Sequence, residues 1–334
     1  MNIKAISNAV RTLVGQLCGT AVLSAVLIGT ASAQAFPTKT IRIIVPYAPG
    51  SAVDLVPRLL AERMAPDLGQ PVVVENKTGG LGVPAMVETL NQPADGHTVL
   101  AVDAGHWAIN PALQSVNYDF LKDFTPVSAT YTSGILFFTS VNSGISSFPE
   151  LIAKAKAKPG SIAFATPGIG STHHLIVEML KSGAGLEMRN IPYRGGPEVV
   201  ESVLRGDTQF GMSSLNGVLA QLKAGKLKLL AVSVQNRLKS LPDVPTVSEV
   251  TGIKDFNFAG TQALVVKNGT PKPIVDRLSA AVRKAGLQPD LVSKVLEATA
   301  SDMTPNTPEQ ELEIMRNDIK KYTAAVKIAG VKAQ

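Results

Sequence analysis

The sequence predicts an α/β fold with two parallel-dominated sheets that are joined by a hinge of two segments. From Ile41 onward, short apolar runs alternate with amphipathic stretches, a pattern typical of parallel strands covered by helices. This alternation gives one βαβαβ set at 41–103 and a second at 161–234. The apolar segment "FAGTQALVV" then leads to further helices, which need a sheet to cover. We therefore expect the chain to cross to a second domain and to return.

Eight segments are predicted to be strands, because they are short, aliphatic and bounded by turn residues. They cover 41–47, 71–76, 97–103, 161–166, 188–193, 208–213, 227–233 and 258–266. The stretch at 124–140 is the predicted transition between the two sets.

Capping residues mark the ends of the predicted helices. Proline at the first helical position, a Ser or Thr before it and glycine after the last turn are the signals. The predicted starts are Pro149, Pro197, Thr270-Pro271, Pro289 and Thr307-Pro308, the last with a capping box that Gln310 completes.

The first 33 residues are predicted to be a signal peptide, which directs the protein to the periplasm. Lys4 and Arg11 form a positive region, 13–28 is apolar and uncharged, and Ala31-Ser32-Ala33 is a small-residue cleavage site. An uncleaved membrane anchor is the alternative. The single cysteine, Cys18, lies in this segment, so the mature chain needs no oxidation to fold.

The charge balance of the chain is mildly positive. The chain has 32 Lys and Arg against 26 Asp and Glu, a net charge of +6, and the leader holds two of the cations and no acid, which leaves +4. The cations are scattered and aromatic residues make up 5%, which argues against a nucleic-acid partner. A small positive excess favours the capture of anions.

Several predicted strands run into glycine-rich or small-residue turns. Glycine at such a junction lets the backbone approach a ligand, and exposed N–H groups at a helix start can hold an anion. The candidate ligand-binding residues in these turns are Gly80, Gly105, His106, Thr166, Gly168, Gly170, Ser171, Thr172, His173, Arg194, Gly195, Ser213 and Ser214.

Nucleotide, metal and acyl-transfer chemistry find little support in these turns. No stretch matches a P-loop, and Gly168-Ile169-Gly170 begins a dinucleotide fingerprint that His173 fails to complete. The nucleophile elbow G-x-S-x-G is absent. His173 and His174 are adjacent, so on a helix they cannot face one metal ion together. We predict no catalytic residue, no metal and no cofactor.

Binding without reaction is the remaining interpretation of "TPGIGSTHH". The hydroxyls of Ser171 or Thr172, with the N–H groups of a helix N-terminus, can hold a carboxylate through charge-assisted hydrogen bonds. Alternatively, Ser171 only caps its own helix. Both can hold, because a cap uses one acceptor and a ligand would use the hydroxyl proton.

From about Phe36 to the C-terminus, the chain resembles the Bug-type solute-binding receptors of tripartite tricarboxylate transporters. The resemblance is carried, in order, by "KTIRIIVPYAPG", "LGQPVVVENKTGG", "PADGHTVL", "AINP", "DFTPV", "SIAFATPGIGSTHH", "IPYRGG", "LKAGKLKLLAVS", "LPDVPTVSEV" and "GTPKPIVDRL". It implies a two-lobed, type II-like periplasmic binding protein, monomeric, that closes over a small organic carboxylate and delivers it to a membrane permease. The expected lobes are 36–136 with 237–334, and 137–236.

The resemblance also assigns the ligand loops. The first falls on 46–54 and contributes Pro49, Gly50, Ser51 and Asp54, and its backbone is expected to hold a carboxylate. The facing loop falls on 166–172. His173 replaces a residue that resembles Thr in relatives, whereas His174 matches the family and is expected to be a packed helix residue.

Two further departures from the family, at Ser213-Ser214 and at His106-Trp107, bear on the ligand, as does Arg194 in "YRGG". Ser213-Ser214 stands where many relatives have Asp-Asn, which makes amino-acid ligands less expected. Trp107 could stack on a flat ligand, such as an aromatic carboxylate, or belong to the core. Arg194 could contact the ligand or be a surface cation. An exported hydrolase on the same fold and a receptor for a two-component sensor remain the alternative functions.

Overall fold

The computed structural model describes residues 36–50, 52–299 and 301–331, and Lys39–Gln334 forms one compact unit. The predicted signal peptide lies outside the described residues. The strands are β1 Ile41–Val45, β2 Val72–Asn76, β3 Thr98–Asp103, β4 Phe124–Gly134, β5 Leu136–Ser140, β6 Ala163–Thr166, β7 Arg189–Pro192, β8 Phe210–Ser213, β9 Leu227–Val232, β10 Ala259–Lys267 and β11 Asp302–Met303.

The helices surround these strands, and their starts agree with the caps read from the sequence. They are α1 Ala52–Leu68, α2 Val83–Leu90, α3 Asn110–Leu113, α4 Phe120–Asp123, α5 Phe148–Ala157, α6 Thr172–Ala184, α7 Gly196–Arg205, α8 Leu215–Lys223, α9 Val247–Thr251, α10 Lys272–Gly286, α11 Pro289–Thr299 and α12 Pro308–Ala329. A 3₁₀ turn occupies Gly80–Gly82 and a π-helical turn occupies Gly105–Ile109. In the described part of the chain, no helix is both long and apolar enough to cross a membrane.

The fold is built on two sheets, as predicted. The first has the order β11-β4-β10-β3-β1-β2 and the second the order β7-β6-β8-β5-β9. In each sheet three neighbouring strands are parallel, namely β2-β1-β3 and β7-β6-β8. All eight predicted strands are present, with ends shifted by up to two residues.

The description of both sheets as parallel-dominated needs a correction. β10 runs antiparallel to β3 and β4, and β11 runs antiparallel to β4. In the second sheet, β5 runs antiparallel to β8 and β9. The reason is that the stretch at 124–140 is itself two strands, one in each sheet, and a strand that leaves or enters a sheet without a crossover helix pairs antiparallel. Each sheet is therefore mixed.

Two extended segments connect the sheets. β4 passes into β5 across Ile135 alone, and the return path runs from the end of β9 to the start of β10. A backbone hydrogen bond ties the two paths together, since Ser233 N–H donates to the Ile135 carbonyl at 3.0 Å; within the return path, Phe258 N–H donates to the Ser233 carbonyl at 2.7 Å. The predicted division at 136/137 and 236/237 stays a prediction.

The C-terminal helix α12 packs against structure from both halves. It contacts β4 and the π-helical turn of the first sheet and α6 of the second. Met315, Tyr322 and Ala325 on its inner face are fully buried, and the Tyr322 ring meets Phe258 edge-on at 5.6 Å. Burying this apolar stripe fixes α12 behind the space between the sheets.

One acidic side chain, Glu311, is completely buried on α12. Asn306 Nδ2 donates to its Oε2 at 2.8 Å, while Oε1 has no hydrogen-bond partner. Burial raises its pKa to about 7; the Asn306 hydrogen bond partly opposes the shift, and the charge of Asp318 adds to it. The folded protein thus holds this proton more tightly than the unfolded chain does.

Glu311 should make stability depend on pH. Because its folded pKa of about 7 exceeds the ordinary 4.5, the stability it allows is fully present below the unfolded pKa and is lost as the pH rises through the folded pKa. We expect the free energy of unfolding to fall by up to roughly 3 kcal/mol between about pH 5 and pH 8. Glu311→Gln should abolish this fall in denaturant titrations, and the exposed control Glu309→Gln should keep it. An unchanged slope in Glu311→Gln would contradict the assignment.

Candidate functional site

A cavity of about 440 Å³ lies between the two sheets, where strands of both end. This is the usual ligand position in open α/β sheets, and the volume suits a small organic molecule. We call it the central cavity. The first-sheet side supplies Tyr47, Val53, Asp103, Ala104, Gly105, Tyr131, Thr261 and, from α12, Tyr322; the second-sheet side supplies Pro167, Thr172, His173, Gly196, Met212, Ser213 and Ser214; the connecting segments supply Ser133, Ile135, Ala259 and Gly260.

A larger opening of about 970 Å³, the side cavity, adjoins the first. It is lined by 167–174, by the π-helical turn and α3, and by the end of α12. Gly105, Pro167, Thr172 and His173 belong to both cavities. The loop "TPGIGSTHH" therefore forms the wall between them.

Asp103, the last residue of β3, is the one charged side chain among the described residues lining the central cavity. Tyr47 Oη donates to its Oδ2 in a short hydrogen bond, and Gly105 N–H donates to its Oδ1 at 2.9 Å. His106 Nδ1 lies 2.9 Å from the same Oδ1. Burial pushes the Asp103 pKa upward, but the nearby His106 and these hydrogen bonds outweigh it, so the pKa lies below its ordinary value. Asp103 is therefore ionised at neutral pH.

His106 supports Asp103 from behind and does not line the central cavity. Its side chain is only 3% exposed and its ring meets Tyr47 edge-on at 5.4 Å. Gly82 (φ 81°) makes room for it: a Cβ at this position would lie 2.4 Å from His106 Nε2. Trp107, the next residue, is buried against Phe120 at 6.1 Å between ring centroids, which places it in the core.

Three tyrosines on the first-sheet side were not identified from the sequence. Tyr47, Tyr131 and Tyr322 come from three distant segments, and the sheet order brings them to one wall. Burial, together with the negative charge of Asp103, raises the pKa of each. Tyr322 is 0% exposed and its hydroxyl has no hydrogen-bond partner among the described residues. These groups are therefore neutral hydroxyls in the working pH range.

Within the loop "TPGIGSTHH", two side chains hold the loop itself. Ser171 caps α6 by accepting from His174 N–H at 3.2 Å, and its own hydroxyl donates to the Gly168 carbonyl at 2.7 Å. His174 Nδ1 accepts from Gly170 N–H at 3.1 Å, and Nε2 lies 3.5 Å from Glu178. The Ser171 proton is thus already used inside the loop, and Ser171 and His174 do not form a nucleophile–base pair.

Thr172 and His173 are the polar residues of this loop that line the central cavity. Both are half-buried. Burial lowers the His173 pKa to about 4, so the ring is neutral near pH 7. Thr166 is buried below them and donates to Asn190 Oδ1 at 2.8 Å, and Gly168 and Gly170 line the side cavity.

The first predicted ligand loop is organised by Asp54. This carboxylate is 2% exposed and accepts from Gly50 N–H at 2.9 Å, from Asn76 Nδ2 at 2.7 Å and from Arg58 Nε at 3.1 Å. Burial opposes ionisation, but these donors keep its pKa below the ordinary value. Asp54 is not a lining residue of the central cavity, which is reached instead by Tyr47 and Val53.

The other predicted residues divide between the wall and the surface. Ser213 and Ser214 line the central cavity, and Gly105 lines both cavities. Gly195 directly precedes the lining residue Gly196. Pro49, Gly50, Gly80 and Arg194 are exposed, and Ser51 lies outside the described residues. In the described part of the chain, no group of three or more His, Cys, Asp or Glu side chains is arranged to hold a metal ion.

Helix starts give the second-sheet side its electrostatic character. α6, α7 and α8 begin at or beside Thr172, Gly196 and Ser214, all of which line the central cavity. Neither Lys nor Arg is among its described lining residues. The unpaired N–H groups and dipoles at these starts can bind a carboxylate without a cationic side chain.

A two-sheet fold with a ligand-sized cavity between the sheets is typical of solute-binding proteins. The model of the tripartite tricarboxylate transporter family receptor, TctC, matches residues 56–331. Protein BugT of Bordetella pertussis is 31% identical over 316 residues, covering 94% of this chain and 96% of that protein. The chain belongs to the TctC receptor family, a family of periplasmic solute-binding proteins, and the resemblance seen in the sequence is confirmed.

Solved structures agree with this assignment. The periplasmic binding protein BugD is 28% identical, with a TM-score of 0.69, over 90% of this chain and 100% of that one. A structure from R. palustris with adipate is 27% identical, with a TM-score of 0.74, over 88% and 98%. MatC from Rhodopseudomonas palustris with bound malate is 26% identical, with a TM-score of 0.69, over 87% and 100%.

Loss of the Ser171 cap should weaken the protein before any ligand is involved. Ser171→Ala removes the acceptor for His174 N–H and the donor to Gly168, so the free energy of unfolding should fall by about 1 kcal/mol. Ser171→Asp keeps the acceptor and should recover most of this loss. The neighbouring control Thr172→Ala should change ligand-free stability by less than about 0.5 kcal/mol. Denaturant titration decides, and equal losses in both alanine variants would exclude a specific cap.

Proposed function

We propose that this periplasmic receptor captures a small organic carboxylate, either a dicarboxylate or an aromatic carboxylate, in the central cavity. It then delivers the ligand to the membrane permease of a tripartite transporter, acting as a monomer and without chemical turnover. The observation that carries the proposal is the start of three helices at one wall of the central cavity. The adipate and malate in the two related structures support the same ligand class.

The ligand carboxylate is held by backbone N–H groups and hydroxyls. At the start of α6, Thr172 and His173 are in the first turn, whose N–H groups have no partner within the helix. Ser214, before α8, makes no side-chain capping bond, so its hydroxyl is available. Charge-assisted hydrogen bonds from such donors are short and strong, and they need no cation.

Closure of two lobes around the ligand completes the proposal. We assign 36–136 with 237–334 to one lobe and 137–236 to the other, joined by the paired segments near Ile135 and Ser233. A ligand that touches both walls of the central cavity binds the closed form better than the open form. Only this difference in affinity can drive closure.

A thermal-shift screen of aliphatic and aromatic mono-, di- and tricarboxylates tests the ligand class. A bound carboxylate at about 100 times its Kd should stabilise the folded protein by about 2.7 kcal/mol, seen as a higher Tm. Thr172→Ala should reduce this shift while leaving the ligand-free Tm nearly unchanged, because Thr172 lines the central cavity and does not cap α6. Mass spectrometry should recover the ligand intact.

Two results would count against the proposed function. If no carboxylate raises the Tm while a sugar or a simple amine does, the anion site at the helix starts is refuted. If the ligand is converted to a product and Ser171→Ala stops the conversion, the protein is a hydrolase on this fold.

A further inference from the structure

The two walls of the central cavity differ in polarity. The second-sheet wall presents helix starts, which favour negative charge. The first-sheet wall presents a carboxylate, Asp103, and neutral tyrosine hydroxyls. Because Lys and Arg are absent from the described lining residues, nothing on the first-sheet wall offsets the Asp103 charge from within the cavity. A second ligand carboxylate placed there would be repelled.

Asp103 also has an unused acceptor position. A carboxylate oxygen accepts about two hydrogen bonds. Oδ1 is occupied by Gly105 N–H and His106 Nδ1, whereas Oδ2 accepts only from Tyr47 Oη. The side chain lines the central cavity and keeps 24% of its surface accessible. A donor on the ligand can therefore reach this carboxylate, and Oδ2 is the oxygen with an acceptor position left.

Tyr322 provides the second, independent observation. Tyr322 lines the same cavity, and its hydroxyl is buried and has no hydrogen-bond partner among the described residues. A buried hydroxyl without a partner costs free energy until something pairs with it. Asp103 and Tyr322 line this cavity together; burial and the charge of Asp318 raise the Tyr322 pKa, and the charge of Asp103 adds to the shift. The two groups thus form one acceptor-rich end of the central cavity.

We infer that the ligand carries, besides the carboxylate bound at the helix starts, a positively charged amine that donates to Asp103 Oδ2, with Tyr322 Oη as a second acceptor. The inference rests on the proposed function: it keeps the carboxylate at the helix starts and puts an amine in place of a second carboxylate, so that the ligand is an amino-carboxylate. It replaces the expectation based on Ser213-Ser214, because the carboxylate missing there is supplied by Asp103 on the opposite wall.

Matched probe pairs test the inference by isothermal titration calorimetry. Adipate is compared with ε-aminocaproate, and terephthalate with p-aminomethylbenzoate, so that within each pair an ammonium replaces one carboxylate. The amino member should bind more tightly in at least one pair. Asp103→Asn should lower the affinity for the amino member by about tenfold or more, since a charged partner is lost. The same change should raise the affinity for the dicarboxylate of that pair. Asp243→Asn, a change at an exposed aspartate, should alter neither.

Tyr322→Phe is the second variant, in case Asp103→Asn does not fold. It should leave the ligand-free Tm unchanged or raise it, because a buried unpaired hydroxyl is removed. It should also lower the affinity for the amino-carboxylate severalfold. If the dicarboxylate binds the unaltered protein as tightly as the amino member in both pairs, the inference is overturned and the proposed function stands. If neither member of either pair nor any screened carboxylate binds, both are overturned.

Discussion

The pairing of the two connecting segments is the constraint on which the site depends. Ser233 bonds Ile135 on the outgoing path through its N–H and Phe258 on the return path through its carbonyl, and its hydroxyl donates to the Phe258 carbonyl at 2.7 Å. The bond to Ile135 joins the outgoing and return paths where they pass between the sheets, and the two bonds to Phe258 close the return path on itself. The strand ends of both sheets are therefore brought to one space, and neither sheet contains the central cavity alone.

This arrangement explains why the two walls differ. The second-sheet wall consists of turns in which a short strand passes directly into a helix, so each turn brings unpaired N–H groups to the cavity. On the first-sheet wall, β10 lies between β3 and β4, and this central position brings Tyr131 and Asp103 together. Helix α12 then adds Tyr322 from behind. The polarity of the central cavity is thus a consequence of topology, since no single segment contains it.

Local signals predicted the local structure well. The caps at Ser171 and Thr307 and the prolines at helix starts depend on residues a few positions apart, so the sequence displays them directly. The antiparallel character of β4 and β10 and the wall of tyrosines depend on pairs more than a hundred residues apart. Periodicity carries no information about such partners. Asp103 was missed for the same reason, because its importance depends on Tyr47 and Tyr322.

The four adjacent polar residues of the loop "TPGIGSTHH" fall into two pairs. One pair stabilises the loop, and the other lines the central cavity. Ser171 and His174 use their hydrogen-bonding groups within the loop. Gly170 has a left-handed backbone, so the turn leaves groups that no strand or helix pairs: His174 accepts from the Gly170 N–H and Ser171 donates to the Gly168 carbonyl. Thr172 and His173, which lie between them, are then held at a fixed place on the wall. Hydrogen bonds within the loop thus order it without a ligand, which lowers the entropy that any binding at this wall would cost. Substitutions at Thr172 or His173 therefore change the cavity wall without removing a hydrogen bond of the loop, whereas those at Ser171 or His174 remove such bonds.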